Sequence, residues 1–159
     1  MKHMIIAAEA GNADAQYNLG IMYDNRVDDH GNSVNPTDDN GVSIASDRAT
    51  AMKWLGCAAE QGLARAQTRL AELYAEGPLS PETDIAACKW FTLARFNLNG
   101  VHRQRAQRGY DQVCLRLSAE QVALALSQAH RHQSEYQQAP TTKSYRLKRN
   151  GKGGCGGRI

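Results

Sequence analysis

The sequence predicts an all-α chain: a right-handed α–α solenoid (superhelix) of about three helix-turn-helix repeats, closed by a C-terminal capping helix and followed by a disordered basic tail. Three observations carry this. Residues 11–23 (GNADAQYNLGIMY) return as residues 62–74 (GLARAQTRLAELY), so that Gly11, Ala13, Ala15, Gln16, Leu19 and Tyr23 recur as Gly62, Ala64, Ala66, Gln67, Leu70 and Tyr74. Ala51-Met52-Lys53-Trp54 returns as Ala87-Cys88-Lys89-Trp90. The apolar residues in both sets fall at helical spacings, i, i+3, i+4 and i+7 or i, i+4, i+7 and i+8.

The first helix is short. His3 occupies the place of Trp54 and Trp90 in the later rounds, so the chain opens about one turn inside a helix. A frayed front end or a missing upstream portion is expected there. The second helix carries Ala15, Leu19, Met22 and Tyr23 as its inner stripe. Trp54 to Trp90 is 36 residues, near the ~34 of tetratricopeptide arrays, whereas Gly11 to Gly62 is 51. The 15 extra residues fall after Tyr23, in a polar stretch rich in Asp, Asn and Gly, which predicts an insertion loop at about 25–46.

The third helix follows, capped by Ser46 or Asp47, with Ala51, Trp54, Leu55 and Ala58 on its inner face. Gly62 supplies a left-handed residue just past its end. The fourth buries Ala66, Leu70, Leu73 and Tyr74, and the fifth, opening at Pro81 or Thr83, buries Ala87, Trp90, Phe91 and Ala94. The sixth repeats the stripe as Ala106, Tyr110, Val113 and Cys114. Ser118 and Gln121 form a capping box for a seventh helix over 118–135, whose inner face is expected at Val122, Ala125, Leu126 and Ala129. The repeat domain therefore spans 1–135. Residues 136–159 read as a basic, Gly-rich flexible tail, with too few apolar groups to offset the entropy of ordering.

Charge divides the chain in the same place. The net charge is +3, and Lys143, Arg146, Lys148, Arg149, Lys152 and Arg158 supply six positive charges to the tail with no acid among them, leaving the body at −3. No run of 18 apolar residues is present, which excludes a spanning helix in the sequence as read. The opening residues do not read as a secretory signal, so a soluble intracellular protein is expected. The four cysteines, Cys57, Cys88, Cys114 and Cys155, are spaced by 31, 26 and 41 residues. These spacings fit no C-x-x-C site, and buried free thiols are expected.

The motifs resemble the Sel-one-like repeat family, relatives of the tetratricopeptide repeats. The resemblance rests on A-A-E-x-G at 7–11 and 58–62 followed by x-A-x-A-Q, on L-x-x-x-Y at Leu19–Tyr23 and Leu70–Tyr74, and on A-x-K-W at 51–54 and 87–90. KWFTLARFNLNG followed by LSAEQVALALSQA is similar to the last repeat and terminal helix of bacterial members. It covers roughly 1–133. The chain departs from the pattern in its long insertion, in the sixth helix, which lacks A-x-A-Q, and in Ala71 standing where Gly20 stands in the first round. The resemblance implies a scaffold or adaptor that holds one or more proteins or peptides on a concave surface or on the 25–46 loop, not an enzyme. A Cys-rich β-lactam-binding subset of the family does not match these four cysteines.

Candidate chemistry is sparse. On a helix, His130 and His132 point about 200° apart and cannot readily share an ion. Asp28-Asp29-His30 and Asp38-Asp39-Asn40-Gly41 lack the register and closing Glu of a calcium loop. No nucleophile-elbow, zincin, Walker or dinucleotide fingerprint occurs, so no catalytic, cofactor-binding or metal residue is assigned. Trp54 and Trp90 read as core. The alternative function is a nucleic-acid- or ribonucleoprotein-associated accessory role. There, Arg103, Arg105 and Arg108 extend a basic strip into the tail, and Tyr136, Tyr145 and the tail cations make weak contact with nucleic acid or an acidic surface.

Overall fold

A computed structural model describes residues 1–24, 37, 39–43 and 45–138. Among them are seven helices: α1 (Lys2–Glu9), α2 (Ala13–Asp24), α3 (Arg48–Glu60), α4 (Ala64–Glu76), α5 (Pro81–Asn97), α6 (Gly100–Cys114) and α7 (Ala119–Gln138). The only extended pairing among the described residues is a single bridge, Thr37 with Ser43. Two compact units result, one within residues 1–61 and one within 62–138.

In the first unit, Ala8, Ala15, Leu19 and Trp54 form one buried cluster, with Met4, Ile5, Ala7, Met22 and Tyr23 packed on it. Helices α2 and α3 run antiparallel. The end of α2 meets the start of α3, where the Asp47 N–H donates to the Tyr23 carbonyl at 2.8 Å. Midway, Gly20 lies so close to Leu55 that a β-carbon there would sit 2.5 Å from its Cγ. At the other end, Gln61 Nε2 donates to Gln16 Oε1 at 2.7 Å. Gln16 is fully buried and donates in turn to the Ala8 carbonyl at 2.9 Å. Gln16 thus adds a side-chain donor to a last-turn carbonyl of the preceding helix, beside the Gly11 N–H at 3.0 Å.

Asp47, one of the two expected caps, accepts from the Ala49 and Thr50 N–H groups at 3.0 and 3.2 Å. The other candidate, Ser46, instead donates to the Asp24 carbonyl at 3.4 Å. Of the expected 25–46 loop, residues 25–36, 38 and 44 lie outside the described residues. Residues 39–43 form a tight turn with Gly41 at φ +79°. Asp39 accepts from the Met1 ammonium and from the Lys2 N–H. Gly56, in the interior of α3, has nothing within 4 Å of where a β-carbon would stand. Gly56→Ala is expected to raise stability by about 0.5–1 kcal/mol through helix propensity alone, measured as a higher urea midpoint with an unchanged slope.

The second unit packs α5 against α4, α6 and α7. Its core includes Leu70, Leu73, Ala87, Cys88, Trp90, Phe91, Leu93, Ala106, Val113, Ala125 and Ala129. Helices α5 and α6 are antiparallel, since partners descend one as they climb the other: Asp84 meets Arg116, Cys88 meets Cys114, and Phe91 meets Gly109. Ser80 and Thr83 form a capping box ahead of Pro81, and Ser118 with Gln121 forms the expected one ahead of α7.

Two expectations are corrected in α7. Its inner stripe is Ala125, Ala129 and His132, while Leu126 is exposed. The helix also runs to Gln138, past the expected boundary at 135. Tyr136, read as a tail residue, lies instead on this helix with its ring against Gly62. Gly62 has φ +86°, the left-handed conformation expected of it, and a β-carbon there would approach the Tyr136 ring to 2.8 Å. The remaining expected tail, 139–159, with Tyr145, Cys155 and the six cations, lies outside the described residues.

Candidate interaction surface

The residues that recur in the sequence are spent on packing. Trp54 is 1% exposed and Trp90 6%, and Gln16 and Gln67 are both buried. Each tryptophan carries the lysine before it over its ring: Lys53 Nζ lies 5.5 Å from the Trp54 centroid and Lys89 Nζ 4.4 Å from that of Trp90. Trp90 also meets the edge of His132, with ring centroids 5.3 Å apart and planes at 72°. With no shared ion expected, the sequence leaves His130 and His132 as solvated or rim residues. His130 is exposed, but His132 is core. The signal lay in the stripe itself, since His132 stands i+3 from Ala129 and i+7 from Ala125.

Side chains outside the repeat motif supply the most exposed large apolar groups of the second unit. Leu79 precedes α5, Phe96 ends it, Val101 opens α6 and Leu115 follows α6, at 74, 70, 71 and 88% exposure. The antiparallel course of α5 and α6 puts Phe96 and Val101 at one end of that helix pair, and Leu79 and Leu115 at the other. A lone exposed leucine is ordinary, but here two large apolar side chains stand at each end of one helix pair, where the chain turns.

The expected basic strip does not hold together. Arg103 and Arg108 are exposed, but Arg105 grips Glu72 through both ends of its guanidinium, Nε to Oε1 at 2.6 Å and Nη2 to Oε2 at 2.7 Å. Arg69 shares Glu72 at 2.8 Å. Arg116 holds Asp84 in the same two-pronged way, at 3.1 and 2.6 Å. Such planar pairs orient helices, and they remove Arg105 from any phosphate-binding role.

A cluster that the sequence did not bring together lies between α5 and α6. Cys88 Sγ and Cys114 Sγ are 3.6 Å apart, and both thiols are free. Cys57, expected to be a free thiol as well, is disulfide-bonded. The Arg95 guanidinium lies 4.1 Å from the centroid of the Tyr110 ring. Burial, then hydrogen bonding to Cys114, pushes the Cys88 thiol up from 9.0 to about 12. The same two causes push the Tyr110 hydroxyl from 10.0 to about 12. Because the folded value exceeds the ordinary one, the Cys88 contribution to stability is complete below about pH 9 and is lost as pH climbs toward 12. Melting temperature is expected to fall across that window, and Cys88→Ala should flatten the fall.

No group of three or more His, Cys, Asp or Glu side chains suited to a metal ion occurs among the described residues. No described helix is long and apolar enough to cross a membrane. Comparison with curated proteins and with solved structures returns no match. The Sel1 repeat, by contrast, matches three times, at residues 13–28, 39–63 and 64–95. Sel1 repeats are protein–protein interaction modules of the α–α solenoid class, and the family is a non-catalytic scaffold family. The helices, their recurring buried Trp and Gln, and these three consecutive matches agree: the chain belongs to the Sel1 repeat family.

Proposed function

We propose that this chain is a scaffold or adaptor whose protein partner docks on the side chains that repeat packing leaves outside, with residues 1–138 as the working domain. One observation carries the reading: the recurring Ala15, Gln16, Leu19, Trp54 and their counterparts Ala66, Gln67, Leu70, Trp90 are buried, while the non-recurring Leu79, Phe96, Val101 and Leu115 stand largely exposed at helix ends. A surface of this kind binds by apolar burial rimmed by polar groups, and the exposed Arg103, two residues from Val101 on α6, supplies one.

The test uses the tagged full chain, Phe96→Glu/Val101→Glu and Leu79→Glu/Leu115→Glu, each checked for unchanged helicity and melting. Capture from the native cell is expected to recover a protein that one of the charged pairs abolishes. The contact should survive about 0.3 M salt, where screening is nearly complete beyond a few ångströms. Retention that ignores both charged pairs but disappears with nuclease, or on deletion of 139–159, would overturn the reading in favour of tail-borne attraction to nucleic acid.

A further inference from the structure

We propose that Cys88 and Cys114 form a reversible thiol–disulfide pair, with Cys114 the entry point for a small-molecule disulfide and Cys88 the resolving thiol. The two sulfurs already touch, at 3.6 Å, from facing helices. A disulfide needs them at about 2.05 Å, so a relative shift of under 2 Å closes the bond. The surroundings favour that shift. Cys114 is the last residue of α6 and is followed by a turn, Leu115–Leu117, rather than by more helix. One turn or so away, Gly109 presents no side chain to Phe91, which lets α5 and α6 approach closely.

Access separates the two roles. Cys88 is 0% exposed, whereas Cys114 is partly exposed. Burial holds Cys88 as the protonated thiol, an effect that the charge of Arg95 offsets only in part, so Cys88 reacts once a mixed disulfide is held against it. In the first step the Cys114 thiol loses its proton, its sulfur attacks one sulfur of the small disulfide RSSR, and RS⁻ leaves and takes up that proton. Cys88 then attacks the Cys114 sulfur of the mixed disulfide, expelling the second RS⁻, which takes the Cys88 proton. The net change is one RSSR reduced to two RSH and one dithiol oxidised to a disulfide. Because the second thiol is held in contact, that step is intramolecular and runs at a high effective concentration.

The probe is oxidised glutathione, mixed in graded ratios with reduced glutathione and applied to the folded full chain, followed by acid quench, alkylation and non-reducing peptide mapping. The expected product is a Cys88–Cys114 linked peptide, with little glutathione retained on either residue. Cys88→Ser should instead accumulate a stable glutathione adduct on Cys114. Cys114→Ser should leave Cys88 unmodified until denaturant is added. Closing a loop of about 27 residues restricts the unfolded chain, so the linked wild-type protein should melt higher by on the order of 5 °C, a shift absent in Cys88→Ser. The proposal is overturned if the wild-type chain keeps a glutathione adduct on Cys114 without forming the link. It is equally overturned if both thiols stay free at ratios that oxidise an ordinary exposed dithiol, or if Cys88 in Cys114→Ser reacts as fast folded as unfolded. Peptide mapping of the wild-type chain decides the matter even if a serine variant folds poorly.

Discussion

Trp90→Ala is expected to destabilise the chain by about 3–5 kcal/mol. Trp90 is 6% exposed and fills the space between α5 and α7, with His132 edge-on to one side and the Lys89 ammonium over its face. Removing the indole leaves a cavity between two helices held apart by their other contacts, so the loss exceeds simple transfer of the ring to water. It also removes the aromatic partner of a buried imidazole. Trp90→Phe keeps part of the ring and should cost clearly less. Urea unfolding followed by circular dichroism measures both; equal midpoints for the alanine variant and the wild type would show that the ring is not a packing element. A loss of this size is a large share of the roughly 5–15 kcal/mol by which domains are ordinarily stable, so Trp90→Ala should be partly unfolded near 37 °C.

Gly109→Val is expected to cost about 2–3 kcal/mol, against the direction that helix propensity predicts. Replacing an interior helix glycine by valine ordinarily gains a few tenths of a kcal/mol. Here the β-carbon would stand 2.3, 2.5 and 2.9 Å from three carbons of the Phe91 ring, and Phe91 is 1% exposed with no room to retreat. Overpacking of that kind costs about 1–3 kcal/mol for far smaller additions than an isopropyl group. Steric overlap therefore wins over propensity. Shortening the partner should relieve it: Gly109→Val/Phe91→Leu is expected to lose less than the sum of the two single variants, a coupling that thermal or urea melts detect. Gly56→Ala, in open space, moves the opposite way, and the two glycines together test whether neighbour contact decides the sign.

The proposed interaction surface was the least legible part of the chain in one dimension. Phe96, Val101, Leu79 and Leu115 lie outside the recurring motif, and nothing in their spacing marks them as exposed. Their exposure follows from where each helix stops and turns. Arg105 reads as one of three solvent-facing cations, yet it is claimed by Glu72 on α4, a residue 33 positions earlier. His132 was in principle legible, because it continues the Ala125–Ala129 stripe.

By itself, the sequence determined that this is an all-α repeat protein. Helical periodicity is a local property, and two copies of one pattern demand the same packing twice; capping residues such as Asp47 and Ser118 act within a single turn and are readable for the same reason. Tertiary structure alone decided which side chains meet across helices: Cys88 with Cys114, Arg116 with Asp84, Trp90 with His132, Tyr136 with Gly62. Those meetings depend on how closely two helices approach and in what register. Both are set by volumes summed over a whole interface, down to the missing β-carbons of Gly20 and Gly109, and no local stretch of sequence contains that sum.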